Sequence, residues 1–123
     1  MPGSPLVAVV DDDESVRESL PELLAQLGFA VQVFASAADF LASIAIAQTR
    51  CLILDIAMPG MSGPELQDEL RTRRLEIPIV FITGQRDDAI RPRMIERGAI
   101  HVLAKPFSEA ALLRAVNAAL RIG

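Results

Sequence analysis

Several short apolar runs in this chain give way abruptly to a residue that could hold or attack a ligand. Leu6-Val-Ala-Val-Val10 runs into Asp11-Asp12, Cys51-Leu-Ile-Leu54 into Asp55, Pro78 to Ile82 into Thr83, and Ala99 to Ala104 into Lys105. A bare carboxylate at the mouth of a buried strand is costly unless something charged sits beside it. Two carboxylates about 4 Å apart repel by roughly 4 kcal/mol at an effective dielectric of about 20. If Asp11, Asp12 and Asp55 converge, the single ammonium of Lys105 leaves charge uncompensated. A divalent cation with oxygen ligands would supply the rest, and Mg²⁺ is the usual choice where a phosphoryl group is also bound. Asp55 would then be free to act as a carboxylate nucleophile, a route to aspartyl phosphate. Lys105 and Thr83 would hold phosphoryl oxygens, where positioning and charge neutralisation do most of the catalysis.

The elements that must position these residues read as alternating strands and helices. Leu6–Val10 is compact and β-branched and reads as a buried strand. Val16, Leu20, Leu23, Leu24 and Leu27 then recur at helical spacing before Gly28, with Pro21 inside the pattern predicting a kink or a late start. Phe29 to Phe34 predicts a second strand. Ser36-Ala-Ala-Asp39 resembles a capping box opening a helix that buries Phe40, Leu41 and Ile44. Cys51 to Leu54 is the third strand, and Pro64 suits the first turn of a helix with Leu66 and Leu70 inward. Pro78 to Ile82 is the fourth strand. A shorter helix lies between Asp88 and Arg97, stopping at Gly98, and Ala99 to Ala104 is the fifth strand. Ser108 caps a last helix with Leu112, Leu113, Val116 and Leu120 inward. Short apolar strands separated by amphipathic helices imply a parallel sheet covered on both faces. In such a sheet every strand's carboxyl end lies on one edge, where ligands of open α/β sheets bind. The five polar residues therefore converge if the topology holds.

Composition bounds the rest. The 123 residues fit one domain, and only five are aromatic, all Phe, so the core is aliphatic. Twelve basic and sixteen acidic residues give a net charge of −4, which argues against a nucleic-acid grip by this domain. Cys51 is the only cysteine, which rules out an intrachain disulfide and fits a reducing cytoplasm. No apolar run is long enough to span a bilayer, and residues 1–5 read as a disordered lead before a domain at 6–121.

The motifs VVDDD at the first strand, LILDIAMPGMSG around Asp55, FITG around Thr83 and AKPF around Lys105 occur in order. Together they resemble the receiver domains of two-component response regulators, over roughly residues 6 to 121. The wording ITG and KPF is most similar to receivers placed ahead of a LuxR-type DNA-binding domain. This resemblance implies a single-domain flavodoxin-like (βα)5 sandwich with strand order 2-1-3-4-5. It implies that Asp55 is the phosphoacceptor, that Asp11, Asp12, Asp55 and the backbone carbonyl of Ala57 bind Mg²⁺ (or Mn²⁺), that Thr83 is the switch hydroxyl and that Lys105 senses the phosphoryl group. It implies a cis peptide before Pro106. The partner would be a sensor histidine kinase or phosphotransfer protein, the output face the fourth helix, fifth strand and fifth helix, which can also form a homodimer. No small-molecule turnover is expected beyond phosphorylation and dephosphorylation of Asp55 itself. Two positions depart from the pattern: Val102 stands where most receivers carry Tyr or Phe, and Pro92 sits where the fourth helix runs, predicting a start near it or distortion before it.

Three readings compete. The first is a phosphorylation-controlled signalling module. A phosphatase of the haloacid dehalogenase type shares the residue inventory, but Ala57 stands where its general acid should be. A phosphorylation-independent interaction module of the same fold takes weight from Val102 and Pro92. Among single residues, Asp13 and Glu14 read as helix caps, His101 as a packing or surface residue, Cys51 as small core, and Met58 and Met61 as packing for the turn.

Overall fold

The computed structural model describes residues 4–84 and 89–122. Its elements are β1 (Leu6–Val10), α1 (Glu14–Gln26), β2 (Ala30–Phe34), α2 (Ala37–Leu41), a 3₁₀ turn (Ile44–Gln48), β3 (Thr49–Asp55), α3 (Gly63–Thr72), β4 (Ile79–Thr83), α4 (Ile90–Glu96), β5 (His101–Ala104) and α5 (Glu109–Ile122). The strands form one parallel sheet in the order β2-β1-β3-β4-β5, the flavodoxin-like topology expected from the motifs. Near-continuous Val, Ile and Leu runs are what a sheet covered on both faces requires. Val7, Val9, Cys51, Ile53, Val80, Ile82 and Leu103 pack against α1 and α5. Ala8, Val10, Leu52, Leu54, Phe81 and Val102 pack against α2, α3 and α4. Each large side chain buried in these layers contributes about 1.5–3 kcal/mol.

Local signals mostly act as read, with corrections. Gly28 takes φ +98 and ends α1. The helix does not start late, however: it begins at Glu14, with Asp13 as cap, and runs through Pro21. Ser36 caps α2 as expected, but α2 ends at Leu41, and Ser43 caps a separate 3₁₀ turn. That break turns Ile44 outward, leaving it 90% exposed instead of buried. On α5 the Ser108 hydroxyl accepts the Ala111 N–H. Ala115 and Ala119, with Leu112 and Val116, fill the inner face, while Leu113 is only half-buried and outside the core. Small residues serve there because α5 lies close against the sheet.

Pro92 falls in the first turn of α4, where its missing N–H has no helical acceptor to satisfy. The Asp88 end of the predicted helix lies outside the described residues. At the other terminus, Ser4 and Pro5 are described, and the Pro5 carbonyl accepts the Ala30 N–H at 3.0 Å. No helix among the described residues is long and apolar enough to cross a membrane.

Cys51 is fully buried, and burial pushes its thiol up to about 12. Its modification by a disulfide reagent in native buffer is expected to be on the order of 100-fold slower than in denaturant, followed by absorbance. Comparable rates would show that β3 opens readily.

Candidate acidic site at the sheet edge

Strand register brings the chemistry together. Val10 pairs with Leu54, so Asp11 and Asp55 are level on neighbouring strands. Asp55 pairs with Ile82 and Thr83 with Ala104, each step moving the next polar residue to the same rim. Chain continuity is fixed by backbone bonds there: Ile56 N–H to Ile82 C=O at 3.0 Å, and Lys105 N–H to Thr83 C=O at 2.8 Å. Strand alternation puts Asp55 on the side of Ile53, facing α1 and α5, and Thr83 on the side of Phe81, facing α3 and α4.

Oxygen atoms of Asp11, Asp12 and Asp55 lie within 4.8 Å of one another, with Asp11 and Asp55 buried and Asp12 exposed. A cavity of about 320 Å³ opens beside them, lined by Asp55, Ile56, Ala57, Thr83, Gly84, Ile90 and Lys105. Lys105 and Pro106 are joined by a cis peptide, as the motif implied. The Lys105 ammonium sits 3.0 Å from Asp11 Oδ2 and 4.0 Å from Asp13 Oδ2. It is thus shared between the first and third acids of the Asp run.

The electrostatics follow from burial. Loss of hydration and the facing Asp11 charge push the Asp55 carboxyl up to about 7, against the downward pull of Lys105. Burial pulls the Lys105 ammonium down, but its hydrogen bond to Asp11 and the surrounding carboxylates more than offset that, and the net shift is upward. Asp13 is lowered by its hydrogen bonds from Ser15 and does serve as the α1 cap. Asp11 Oδ1 accepts the Asp13 N–H at 2.9 Å, and the buried Asp11 Oδ2 faces the Lys105 ammonium at 3.0 Å. Three clustered carboxylates facing a single ammonium are a hard oxygen donor set suited to Mg²⁺.

All five strand-end residues named from sequence therefore meet at one rim, with the Ala57 backbone on its wall. His101 does not: it begins β5, at the far end from Lys105, and its Nδ1 accepts the Val102 N–H. Three contributors escaped the sequence reading. Arg17 donates to the Asp11 carbonyl at 3.1 Å, and Ile90 lines the cavity. Gly63 starts α3 so close to the acid loop that a Cβ there would collide with the Asp55 carbonyl oxygen and lie 3.0 Å from Ile56 Cα. The spacing Ser62-Gly-Pro-Glu65, a full capping box in the structure, was a legible signal for that fixed start.

Comparison with known proteins agrees with this geometry. Residues 7–117 match the response regulator receiver domain family. The transcriptional regulatory protein FixJ of Azorhizobium caulinodans is 42% identical over 120 residues, covering 98% of this chain and 57% of FixJ. The response regulator protein TodT of Pseudomonas putida is 39% identical over 117 residues, covering 95% of this chain and 52% of TodT. The chain thus spans about half the length of these curated relatives. Among solved structures, the response regulator StyR superposes with a TM-score of 0.88 at 48% identity, covering 98% of this chain and 61% of that one. A FixJ-N crystal structure gives 0.85 at 36%, covering 98% and 96%. With the fold, the rim and these matches in agreement, the chain belongs to the response regulator receiver domain family of two-component signalling proteins.

Proposed function

We propose that this domain accepts a phosphoryl group on Asp55 from a phosphohistidine donor, a sensor histidine kinase or phosphotransfer protein, in a Mg²⁺-dependent step. The observation that supports this reading is the cluster of Asp11, Asp12 and Asp55 oxygens within 4.8 Å of one another, beside an open cavity that reaches Thr83 and Lys105. Asp11, Asp12, Asp55 and the Ala57 carbonyl would hold the ion, which supplies charge neutralisation for the carboxylates and the incoming phosphoryl oxygens.

The protein's own residues do the rest. An Asp55 carboxylate oxygen attacks phosphorus, the P–N bond breaks as the P–O bond forms, and the imidazole leaves with the electron pair and takes a proton from solvent. Lys105, already tethered by Asp11 and Asp13, lies on the cavity wall and supplies a positive charge to the transferred group. Thr83 enters from the other side of the sheet as a hydroxyl donor to the same group. The face formed by α4, β5 and α5 reads the change. The domain would act in the cytoplasm as a switch, and the output it controls lies in a partner or a further domain.

Incubation with acetyl phosphate and Mg²⁺ should add one phosphoryl mass to the peptide containing Asp55, and chelation should prevent it. An unlabelled wild-type protein, with Mg²⁺ present, would defeat the reading. The metal can be checked apart from transfer. At about 100 times its dissociation constant, Mg²⁺ should stabilise the native state by roughly 2.7 kcal/mol. Asp11→Asn should lose most of that increment in thermal melts with and without Mg²⁺, and a full increment in the variant would remove Asp11 from the ligand set.

A further inference from the structure

The end of α4 is bound to α3 by a closed set of polar contacts that the phosphoryl chemistry does not use. Arg97, the C-terminal cap of α4, donates from Nε to Gln67 Oε1 at 3.0 Å. Its Nη2 donates to the Asp68 carboxylate at 2.7 Å and to the Pro64 carbonyl at 3.0 Å. In return its own carbonyl accepts Gln67 Nε2 at 2.9 Å and the Arg71 guanidinium. The Gln67 amide thus gives and receives with the same partner, and it is only 4% exposed. Helix carbonyls at a C-terminus have no partner within the helix, so Gln67 and Arg71 satisfy one of the orphans of α4. The guanidinium's planar fork fixes orientation as well as distance.

The other side of this clamp is the acid loop. Gly63 N–H donates to the Ile56 carbonyl at 2.9 Å, the residue after Asp55. There is no room for even a Cβ between the first residue of α3 and the Asp55 carbonyl. The capping box of Ser62 and Glu65 makes that first turn stiff. Pro64, next in line, carries the carbonyl that Arg97 holds. Meanwhile Ile90, the first residue of α4, lines the cavity. Helix α4 is therefore keyed to the site at both ends, directly at Ile90 and through α3 at Arg97. Val102 is 2% exposed and packed in the core, so this position of β5 offers no movable ring to do this work.

We propose that Arg97 is a positioning residue that couples the Asp55 loop to α4, by way of the first turn of α3, so that loading of Asp55 resets α4 through the Arg97 clamp. This rests on the phosphoryl reading above. Hydrogen exchange of α4 and β5 peptides, with and without Mg²⁺ and beryllofluoride as phosphoryl mimic, tests it. Loading of Asp55 is followed separately by fluorine NMR. Wild type should change its α4 exchange on loading. Arg97→Met, which keeps the aliphatic stem, should load within about twofold of wild type yet lose at least half of that change, because the guanidinium's whole fork is gone. Arg73→Ala, which removes only a surface pair with Glu69 on α3, should respond like wild type. If Arg97→Met does not fold, Asp68→Asn removes the clamp's charged partner and is read in the same way. A loaded variant whose α4 responds in full overturns the coupling role alone, as does a loaded wild type with no α4 response. A wild type that never loads overturns the phosphoryl reading and this inference together.

Discussion

Replacing Asp55 by Asn is expected to abolish phosphoryl acceptance and, in the same protein, to raise its stability without metal. The first follows because an amide oxygen is a far weaker nucleophile than the carboxylate. The second follows from charge. Asp55 titrates at about 7 in the folded chain against a usual 3.8, so its ionised form is held at a cost that grows between those values. The native state binds more protons than the unfolded one in that window, and stability therefore falls as pH rises from about 4 to about 7. The difference between about 7 and 3.8 corresponds to about 4 kcal/mol. Partial solvation at the rim reduces this to about 1–3 kcal/mol. The Asn amide can also donate to Asp11, turning a repulsion into a hydrogen bond. Thermal melts in chelator at pH 8 should show Asp55→Asn several degrees above wild type, with the gap closing towards pH 5. A variant that melts lower at pH 8 would show that the site tolerates its charges better than the geometry implies.

Gly63→Ala should act in the opposite direction, and strongly. Its methyl group meets the Asp55 carbonyl oxygen, the Ile56 Cα and, at 3.1 Å, the Phe81 ring. Two of these are backbone of the central sheet and its exit, so the helix must move away. Overpacking against backbone costs about 2–4 kcal/mol, a fall of roughly 10 °C for a chain of this size. The shift also pulls at the Gly63–Ile56 hydrogen bond, and phosphorylation by acetyl phosphate should slow as the acid loop moves. Gly84→Ala, with nothing within 4 Å of the added carbon, should stay within about 0.5 kcal/mol of wild type in urea melts. Equal losses at both positions would mean that backbone entropy, not the close approach, governs.

The sequence was legible where one rule dominates. A β-branched run ending in a charge marks both a strand and its carboxyl end, and parallel topology then collects Asp11, Asp12, Asp55, Thr83 and Lys105 without further information. It was less legible where two local signals compete. Ile44 fits the period of a longer α2, but Ser43 caps a new turn and resets the period. Pro21 argued against a through-going α1, yet burial of Leu20 and Leu24 on either side outweighs the lost hydrogen bond. Leu113 shows the limit of counting apolar residues, since small Ala115 and Ala119 take the places nearest the sheet. The Arg97 clamp was beyond reach because its partners lie about thirty positions away and include a main-chain carbonyl, that of Pro64.

Strand alternation gives the rim one more property. By strand alternation Asp55 continues the face of Ile53, covered by α1 and α5, and Thr83 that of Phe81, covered by α3 and α4, yet both line one cavity. A ligand touching both would sit over the sheet's edge and meet side chains from both of its faces. A donor protein seated over one layer would leave the opposite layer uncovered, so delivery and readout need not compete for the same area. On the proposed phosphoryl reading, one small bound group would be reachable from both layers.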